Sequence, residues 1–261
     1  MVYNKIVLNV PHSSNEGVFD KQFCGWETNE KFEKECVQKW TDWHTNIVFK
    51  PIEHLKEYIE MHVFPLSRFI IDAERLENDP LKTKGQGILY TDFEGFHREI
   101  APEVRDSLMN IYHKYIQQIR NSLAHNAILV DCHSFPQGLS DVDVCIGFNE
   151  DWSKPEQQTI DIIAKKFYKA GYKVGINNPY SNSLSPTCDF TYHSLMIEVN
   201  KRIYIDSVNH HLLPDADKFT RTINEIYAFL LHQESNRIKK LMELSIKKAP
   251  SHDSASYINH E

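Results

Sequence analysis

The stretch Ala127–Phe135, with the sequence AILVDCHSF, is an apolar run that ends abruptly in polar residues. A short, continuous apolar run of this kind is typical of a strand buried on both faces of a parallel sheet. In open α/β sheets, ligands bind where such strands end, so we expect His133 to face a crevice. A single His in such a place is more often a hydrogen-bonded structural residue.

The chain contains a second copy of this pattern near its N-terminus. Ile6–Val10 is another apolar run, and it is followed directly by Pro11, His12 and Ser13. Two strands that each present a His at their exit predict two ligands of one metal ion. A catalytic zinc site usually takes three protein ligands from His, Asp or Glu and leaves a fourth position for water. His12 and His133 are therefore candidate ligands of one zinc ion.

The third ligand is open between two acids. Asp42 lies on a predicted helix over 29–49 that follows the His12 strand, among tryptophans, where an unpaired carboxylate would be costly to bury. The ordinary alternative is that it is an exposed helix acid. Glu16, four residues after His12, is the competing ligand. We favour Asp42 over Glu16.

Glu198 is a lone carboxylate inside the apolar run Leu195–Val199. A carboxylate in such a strand is either paired with an Arg or held for proton transfer. Metal-assisted hydrolysis needs a general base that takes a proton from water and passes it to the leaving amine. Glu198 is the candidate for this catalytic role.

Three arginines are candidates for binding carboxylates of a substrate. They are Arg68 and Arg75, which flank a predicted strand end, and Arg202, which follows the Glu198 strand. Arg binds carboxylates with a planar, two-point fork, so a cluster near a metal indicates a substrate with acid groups. The alternative is that Arg68 or Arg75 pairs with Asp72 or Glu74 as part of the structure.

Composition restricts the possible partners. The net charge of -7 argues against nucleic acid or an anionic membrane as a general partner, but it allows a small anionic substrate. No apolar run approaches the length of a membrane span. The five cysteines are scattered without a CxxC pair, which favours a reducing compartment. We therefore expect a cytoplasmic protein with no membrane partner.

The alternation of predicted strands and helices indicates one α/β domain over residues 1–235, followed by a polar tail over 236–261 that is helical and then frayed. We expect a mixed, mostly parallel central sheet flanked by helices. Further predicted elements are strands at 67–75, 142–148, 172–176 and 194–199, helices at 102–121, 155–170 and 218–234, and a long surface loop at 81–91.

An ordered set of short motifs resembles the N-formylglutamate amidohydrolase family, also called formylglutamate deformylases. The set extends from about residue 6 to residue 206. Its pieces are VPHS at 10–13, TDWHT at 41–45, SR at 67–68, DAER at 72–75, GILY at 87–90, DCHS at 131–134, DVCIG at 143–147, NPYS at 178–181 and MIEVN at 196–200.

The resemblance implies a zinc-carboxypeptidase-like α/β fold and a small-molecule, anionic substrate. It implies one zinc ion on His12, Asp42 and His133, with Glu198 as the catalytic acid/base. The expected substrate-binding residues are Arg68, Arg75, Arg202, Tyr180 and Ser134.

The best expected activity is hydrolysis of N-formyl-L-glutamate to formate and glutamate. The alternatives are a peptidoglycan or peptide amidase or a carboxypeptidase-like enzyme of the same fold, and, from another class, a non-catalytic binding protein with a degenerate metal site. Ser14, Asn46 and Asn182 stand where the family often has Gly, Asp and Gly. We therefore expect the pocket to differ in shape from that of other members.

Overall fold

A twisted sheet forms the centre of the molecule. The computed structural model describes residues 3–20 and 24–231, and within these ranges the sheet has six strands in the order β2-β1-β5-β8-β6-β7. A separate hairpin is formed by β3 and β4. In chain order the strands are β1 Lys5–Val10, β2 Ile59–Val63, β3 Asp92–Phe93, β4 Phe96–His97, β5 Ala127–Phe135, β6 Val144–Gly147, β7 Val174–Ile176 and β8 His193–Asn200.

The sheet is mixed and mostly parallel, as the sequence predicts. Strands β2, β1, β5 and β8 run in one direction, and β6 pairs with β8 in the opposite direction. The edge strand β7 is parallel to β6. The carboxyl ends of β1, β5 and β8 therefore lie side by side at one edge of the sheet.

Helices cover both faces of the sheet. The first helix, α1, covers 30–40 and has π-helical geometry over Glu33–Gln38. The others are α2 Thr45–Val48, α3 Pro102–Ser122, α4 Gln157–Lys169 and α5 over 216–231, with short 3₁₀ turns at Glu53–Leu55, Pro80–Lys84 and Lys201–Ile203. None of the described helices is long and apolar enough to cross a membrane.

The apolar side chains of the predicted buried strands pack in two separate hydrophobic cores. Ile128 and Val130 of β5 pack on one face, in the core that also contains side chains of α4 and α5. Ala127 and Leu129, on alternate positions, face the other core, which contains side chains of α3. Successive side chains of a strand point to opposite faces, so a strand covered on both sides needs apolar residues at every position.

The predicted helix over 29–49 is wrong in its second half. Helix α1 ends at residue 40, and His44 adopts the left-handed conformation with φ of 63° before the single turn α2. The backbone N–H of Asp42 donates to the carbonyl oxygen of His12 at 2.9 Å. Asp42 is therefore not a helix residue, and a contact with the β1 exit holds it in a break between helices.

Two other local predictions are wrong. The segment 67–75 is a series of turns and not a strand, with Ile70 and Ile71 both donating to the carbonyl oxygen of Ser67. The segment 81–91 is not a surface loop throughout, because Leu89 and Tyr90 are buried. Strand β2 is not predicted from the sequence. The segment 67–75 was predicted as a strand because turns that bury apolar side chains have the same composition as strands.

The remaining elements match their predictions to within a few residues. These are β5, β6, β7, β8, α3 and α4. The predicted helix over 218–234 matches α5 as far as residue 231. The predicted tail over 236–261 lies outside the described residues, so the boundary at 235 remains a prediction.

The register of β1 and β2 offers a matched test of the core. Val10 and Val63 are Cα partners across the two strands, but Val10 is fully buried and Val63 is 41% exposed. We expect Val10→Ala to lower the free energy of unfolding by about 2–3 kcal/mol, because it removes two buried methyl groups and leaves a cavity. We expect Val63→Ala to lower it by less than about 1 kcal/mol. Equal losses in urea unfolding would contradict the described packing.

Candidate active site

The carboxyl edge of the sheet brings together the residues that the sequence singled out. His133 on β5 and Glu198 on β8 are Cα partners, so their side chains lie at the same level of neighbouring strands. His12 follows β1 by two residues, and its ring centroid lies 4.9 Å from that of His133. All three side chains are buried. The predicted convergence of the two histidines is thus present in the structure.

Each histidine has a buried carboxylate behind it. His12 Nε2 lies 2.8 Å from Asp72 Oδ1, and His133 Nε2 lies 3.2 Å from Asp131 Oδ1. A carboxylate in this position fixes the tautomer of the ring and leaves the other nitrogen free to bind a metal. For His12 the free nitrogen is Nδ1. In His133, by contrast, Nδ1 is hydrogen-bonded to Asp42 Oδ2, and Nε2 forms no hydrogen bond within the described residues. His12 Nδ1 is buried and has no hydrogen-bond partner among the described residues.

Both Nδ1 atoms point toward Asp42. Asp42 Oδ2 lies 3.7 Å from His12 Nδ1 and 3.2 Å from His133 Nδ1. Ser134 donates a hydrogen bond to the other carboxylate oxygen at 3.1 Å. Burial opposes ionisation of Asp42, but the imidazoles of His12 and His133 beside it outweigh burial and lower the pKa of Asp42. The carboxylate is therefore ionised next to the two histidines.

The two distances from Asp42 are close to the donor–donor separation around a tetrahedral metal ion. With metal–ligand bonds of about 2.0–2.1 Å, neighbouring donors of a tetrahedral zinc ion lie about 3.3–3.4 Å apart. Asp42 Oδ2 meets this condition with both histidines to within a few tenths of an ångström. Two imidazoles and one carboxylate are also the donor types of catalytic zinc sites.

A second acid, Glu74, competes with Asp42 for the metal. Donor atoms of His12, Glu74 and His133 all lie within 4.8 Å of one another. In the sequence, Glu74 belongs to the DAER motif and is expected only as a structural partner of Arg68 or Arg75. Glu16, the competing ligand expected from the sequence, is exposed and is not part of this group. The choice is therefore between Asp42 and Glu74.

Glu198 is a buried acid without a fixed partner. Its Oε2 atom has no hydrogen bond within the described part of the chain. Burial raises the pKa of Glu198 to about 8, against the opposing charge of His133 and with the support of the negative charge of Asp42. A carboxyl group with a pKa near neutrality is suited to take up and release a proton.

A cavity of about 290 Å³ opens onto this cluster. Its wall contains His133 and Glu198 from the sheet, together with side chains from the turn region 67–94 and from the loop that follows β7. The lining residues are Trp40, Asp42, Arg68, Glu74, Arg75, Leu81, Gln86, Tyr90, Phe93, Glu94, His133, Ser134, Tyr180, Asn182 and Glu198.

Comparison with known proteins identifies the family of the chain. The family model described as N-formylglutamate amidohydrolase matches residues 4–205. The chain belongs to the N-formylglutamate amidohydrolase family. Its fold also matches the crystal structure of an N-formylglutamate amidohydrolase from Ralstonia eutropha JMP134, with a TM-score of 0.67 and 16% sequence identity over 94% of this chain and 96% of the other. No curated protein matches the sequence.

In this family member, Arg68 and Arg75 both line the cavity and both face Asp72, but they differ in their hydrogen bonds. Arg68 donates to Asp72 at 3.3 Å and to the Tyr90 hydroxyl at 3.2 Å. Arg75 has only long ion pairs, at 3.5 Å to Asp72 and Asp79 and 3.9 Å to Glu74. Among the described residues, no acceptor forms a hydrogen bond with its guanidinium group.

The structure does not bring Arg202 to the cavity. The 3₁₀ turn after β8 directs its side chain to Asp143, whose Oδ1 lies 2.6 Å from Nη2, and to backbone carbonyl groups of residues 140–142. Proximity to Glu198 in sequence does not place Arg202 near it in space, because a turn separates them. Tyr180 and Ser134, the other expected substrate-binding residues, do line the cavity.

The choice between the two acids can be tested by metal affinity. We expect Asp42→Asn to weaken zinc binding by about tenfold or more, because Asp42 Oδ2 lies at ligand distance from both histidines. We expect Glu74→Gln to weaken it by less than about threefold, because Asn182 already donates to Glu74 Oε1.

Chelator competition on purified protein measures both affinities, and Glu16→Gln, an exposed acid, is the matched control. A loss of zinc in Glu74→Gln that spares Asp42→Asn would assign the third ligand to Glu74.

Proposed function

We propose that the protein is a zinc-dependent hydrolase that cleaves the amide of a small acidic N-acyl amino acid, with N-formyl-L-glutamate as its substrate and formate and glutamate as its products. The observation that carries the proposal is the convergence of two histidine Nδ1 atoms on ionised Asp42, beside the protonatable Glu198. Membership of the N-formylglutamate amidohydrolase family supports the choice of acyl group.

His12, Asp42 and His133 would hold the metal. When bound, zinc supplies a Lewis acid that polarises the amide carbonyl and makes water more acidic. Asp72 Oδ1 lies 2.8 Å from Nε2 of His12 and favours the tautomer that leaves Nδ1 of this ring without a proton, and Asp131 Oδ1 lies 3.2 Å from Nε2 of His133. The Ser134 hydroxyl holds Asp42 through its second oxygen, which leaves Oδ2 directed at the histidines.

Glu198 would move the proton in this reaction. Water adds to the carbonyl carbon and the C–N bond breaks, so one proton must pass from the water to the leaving nitrogen. The Oε2 atom of Glu198 makes no competing hydrogen bond in the described chain and is therefore available for both transfers. Tyr180 lines the same cavity, and burial raises the pKa of its phenol, so it remains a neutral hydrogen-bond donor.

Arg75 is the proposed site for a substrate carboxylate. Its guanidinium group is 13% exposed, lines the cavity and has no hydrogen bond to a described residue. A buried guanidinium group without hydrogen bonds gains most from a carboxylate ligand, because two parallel hydrogen bonds replace long ion pairs. Arg68 is committed to Asp72 and Tyr90, and it is proposed to hold that part of the wall in place.

The size of the cavity favours a small substrate over a cell-wall peptide. At about 290 Å³ it lies just below the range for small-molecule pockets, which is about 300–1,000 Å³. All five cysteines are free thiols, in keeping with the predicted cytoplasmic location.

The role of Glu198 can be separated from metal binding. We expect Glu198→Gln to retain zinc and to reduce kcat by about a hundredfold or more, because an amide cannot accept the proton from water. Metal analysis and steady-state kinetics on the same preparation measure the two quantities. His133→Ala is the comparison variant, and it should lose zinc and activity together. A Glu198→Gln enzyme with near wild-type kcat would remove Glu198 from the proposed reaction.

The substrate class can be tested with a panel of amides. The panel is N-formylglutamate, N-formylglutamine, N-acetylglutamate, N-formylalanine and a short muropeptide. We expect a clear preference for N-formylglutamate. Arg75→Ala should raise its KM by at least about tenfold, since losing a buried charged contact costs about 2–5 kcal/mol.

Arg202→Ala is the control in this experiment, because Arg202 lies outside the cavity and should leave KM within about twofold of wild type. Equal rates on the glutamate and alanine compounds would reject the carboxylate contact. Activity on the muropeptide alone would make the protein a cell-wall amidase.

A further inference from the structure

We propose that Asn182 is a specificity-determining residue that keeps Arg75 available for an acidic substrate by holding Glu74 away from it. The inference rests on the proposed function, because it assumes that Arg75 binds a substrate carboxylate. Asn182 Nδ2 donates to Glu74 Oε1 at 2.8 Å. Glu74 Oε2 and Arg75 Nη1 remain 3.9 Å apart, although the two residues are adjacent in sequence. A close Arg–carboxylate pair has N–O distances of about 2.7–2.9 Å.

The loop that carries Asn182 is fixed independently of Glu74. The Tyr180 carbonyl oxygen accepts from Cys145 Sγ at 3.3 Å, and the Leu184 backbone N–H donates to Asp131 at 3.0 Å. The loop also packs against Gly147, where an added Cβ would lie 2.9 Å from the Asn182 carbonyl oxygen. These contacts fix the backbone on both sides of Asn182, and from this position its side-chain amide donates to Glu74.

Loss of the contact with Asn182 would change how the charged groups of Glu74 and Arg75 pair. The side chain of Glu74 is only 9% exposed, and its carboxylate lies between the amide of Asn182 and the guanidinium group of Arg75. A buried carboxylate that loses one hydrogen bond takes the next donor within reach, because an unsatisfied buried charge is costly. Without Asn182, that donor is the neighbouring Arg75. A closed Glu74–Arg75 pair would occupy the fork that the substrate needs.

The test is a binding cycle with glutarate, a dicarboxylate that is not hydrolysed, on the protein as purified. Titration calorimetry gives Kd for wild type, Asn182→Gly, Glu74→Gln and the double variant. We expect Asn182→Gly to raise Kd by about tenfold, which lies within the range of couplings between contacting residues. The double variant should bind within about threefold of Glu74→Gln, because a neutral glutamine cannot neutralise Arg75.

A kinetic measurement on the same variants distinguishes a positioning role from a structural one. For Asn182→Gly, the ratio of kcat/KM for N-formylglutamate to that for N-formylalanine should fall by about tenfold, with the change mainly in KM. A general loosening of the loop would lower both values together. Asn182→Ala repeats the test with a side chain that keeps the backbone less free than Gly.

Each outcome has a separate meaning. Wild-type binding of glutarate with an unchanged Kd in Asn182→Gly and Asn182→Ala would overturn the role of Asn182 and leave the proposed function intact. A loss that persists in the double variant would also overturn it, because relief of Glu74 is the proposed cause. Wild-type protein that hydrolyses neutral N-acyl amides but binds no glutarate would overturn the acidic-substrate proposal, and the inference with it.

Discussion

The buried carboxylate of Asp72 connects the two halves of the candidate site. One of its oxygens lies 2.8 Å from His12 Nε2 and accepts the backbone N–H of Glu74 at 3.1 Å. The other accepts hydrogen bonds from Arg68 and from the Tyr90 hydroxyl. Asp72 is completely buried, so its charge is tolerated only because every one of these partners is in place. The histidine, the arginine wall and the turn that carries Glu74 are therefore positioned by one group.

The carboxylate behind His133 is positioned by the geometry of the sheet. Asp131 lies two residues before His133 on β5, and side chains two apart on a strand share a face. Asp131 is held in turn by Asn9, its Cα partner on β1, whose amide donates to it at 2.6 Å. Tyr115 of α3 donates to the oxygen of the same Asn9 side chain. The acid behind His133 is thus fixed by the core, whereas the acid behind His12 is fixed by a series of turns.

This difference explains how far the sequence could predict the site. His12, His133 and Glu198 were found because each lies in or directly after an apolar strand, where periodicity and the strand-exit rule both apply. The helix that was predicted to carry Asp42 is broken before it, because the backbone N–H of Asp42 donates to the His12 carbonyl oxygen, and no local pattern encodes this contact. Glu74 and Asn182 are 108 residues apart, and nothing in the sequence near either one indicates their contact.

The arginines show that a structural and a functional interpretation of one residue need not exclude each other. The sequence left open whether Arg68 and Arg75 pair with Asp72 and Glu74 or bind a substrate. In the structure both face these acids, but Arg68 forms a hydrogen bond with Asp72, whereas the guanidinium group of Arg75 forms ion pairs of 3.5 to 3.9 Å without a hydrogen bond. A charged group in a cavity with incomplete partners is where a ligand gains most, because the ligand then replaces weak contacts by strong ones.

On the proposed function, the charges of the cavity wall couple binding of the metal to binding of the substrate. Its lining contains the carboxyl groups of Asp42, Glu74, Glu94 and Glu198 and the cationic side chains of Arg68 and Arg75. Glu198, whose pKa is raised to about 8, carries little charge at neutral pH, and the pKa of His133 is raised, so the wall is close to neutral. A dicarboxylate would add two negative charges to it, and a divalent ion on the two histidines and Asp42 would offset them. Affinity for an acidic substrate and affinity for the metal are then coupled, and because coupling free energies are reciprocal, each ligand strengthens the binding of the other.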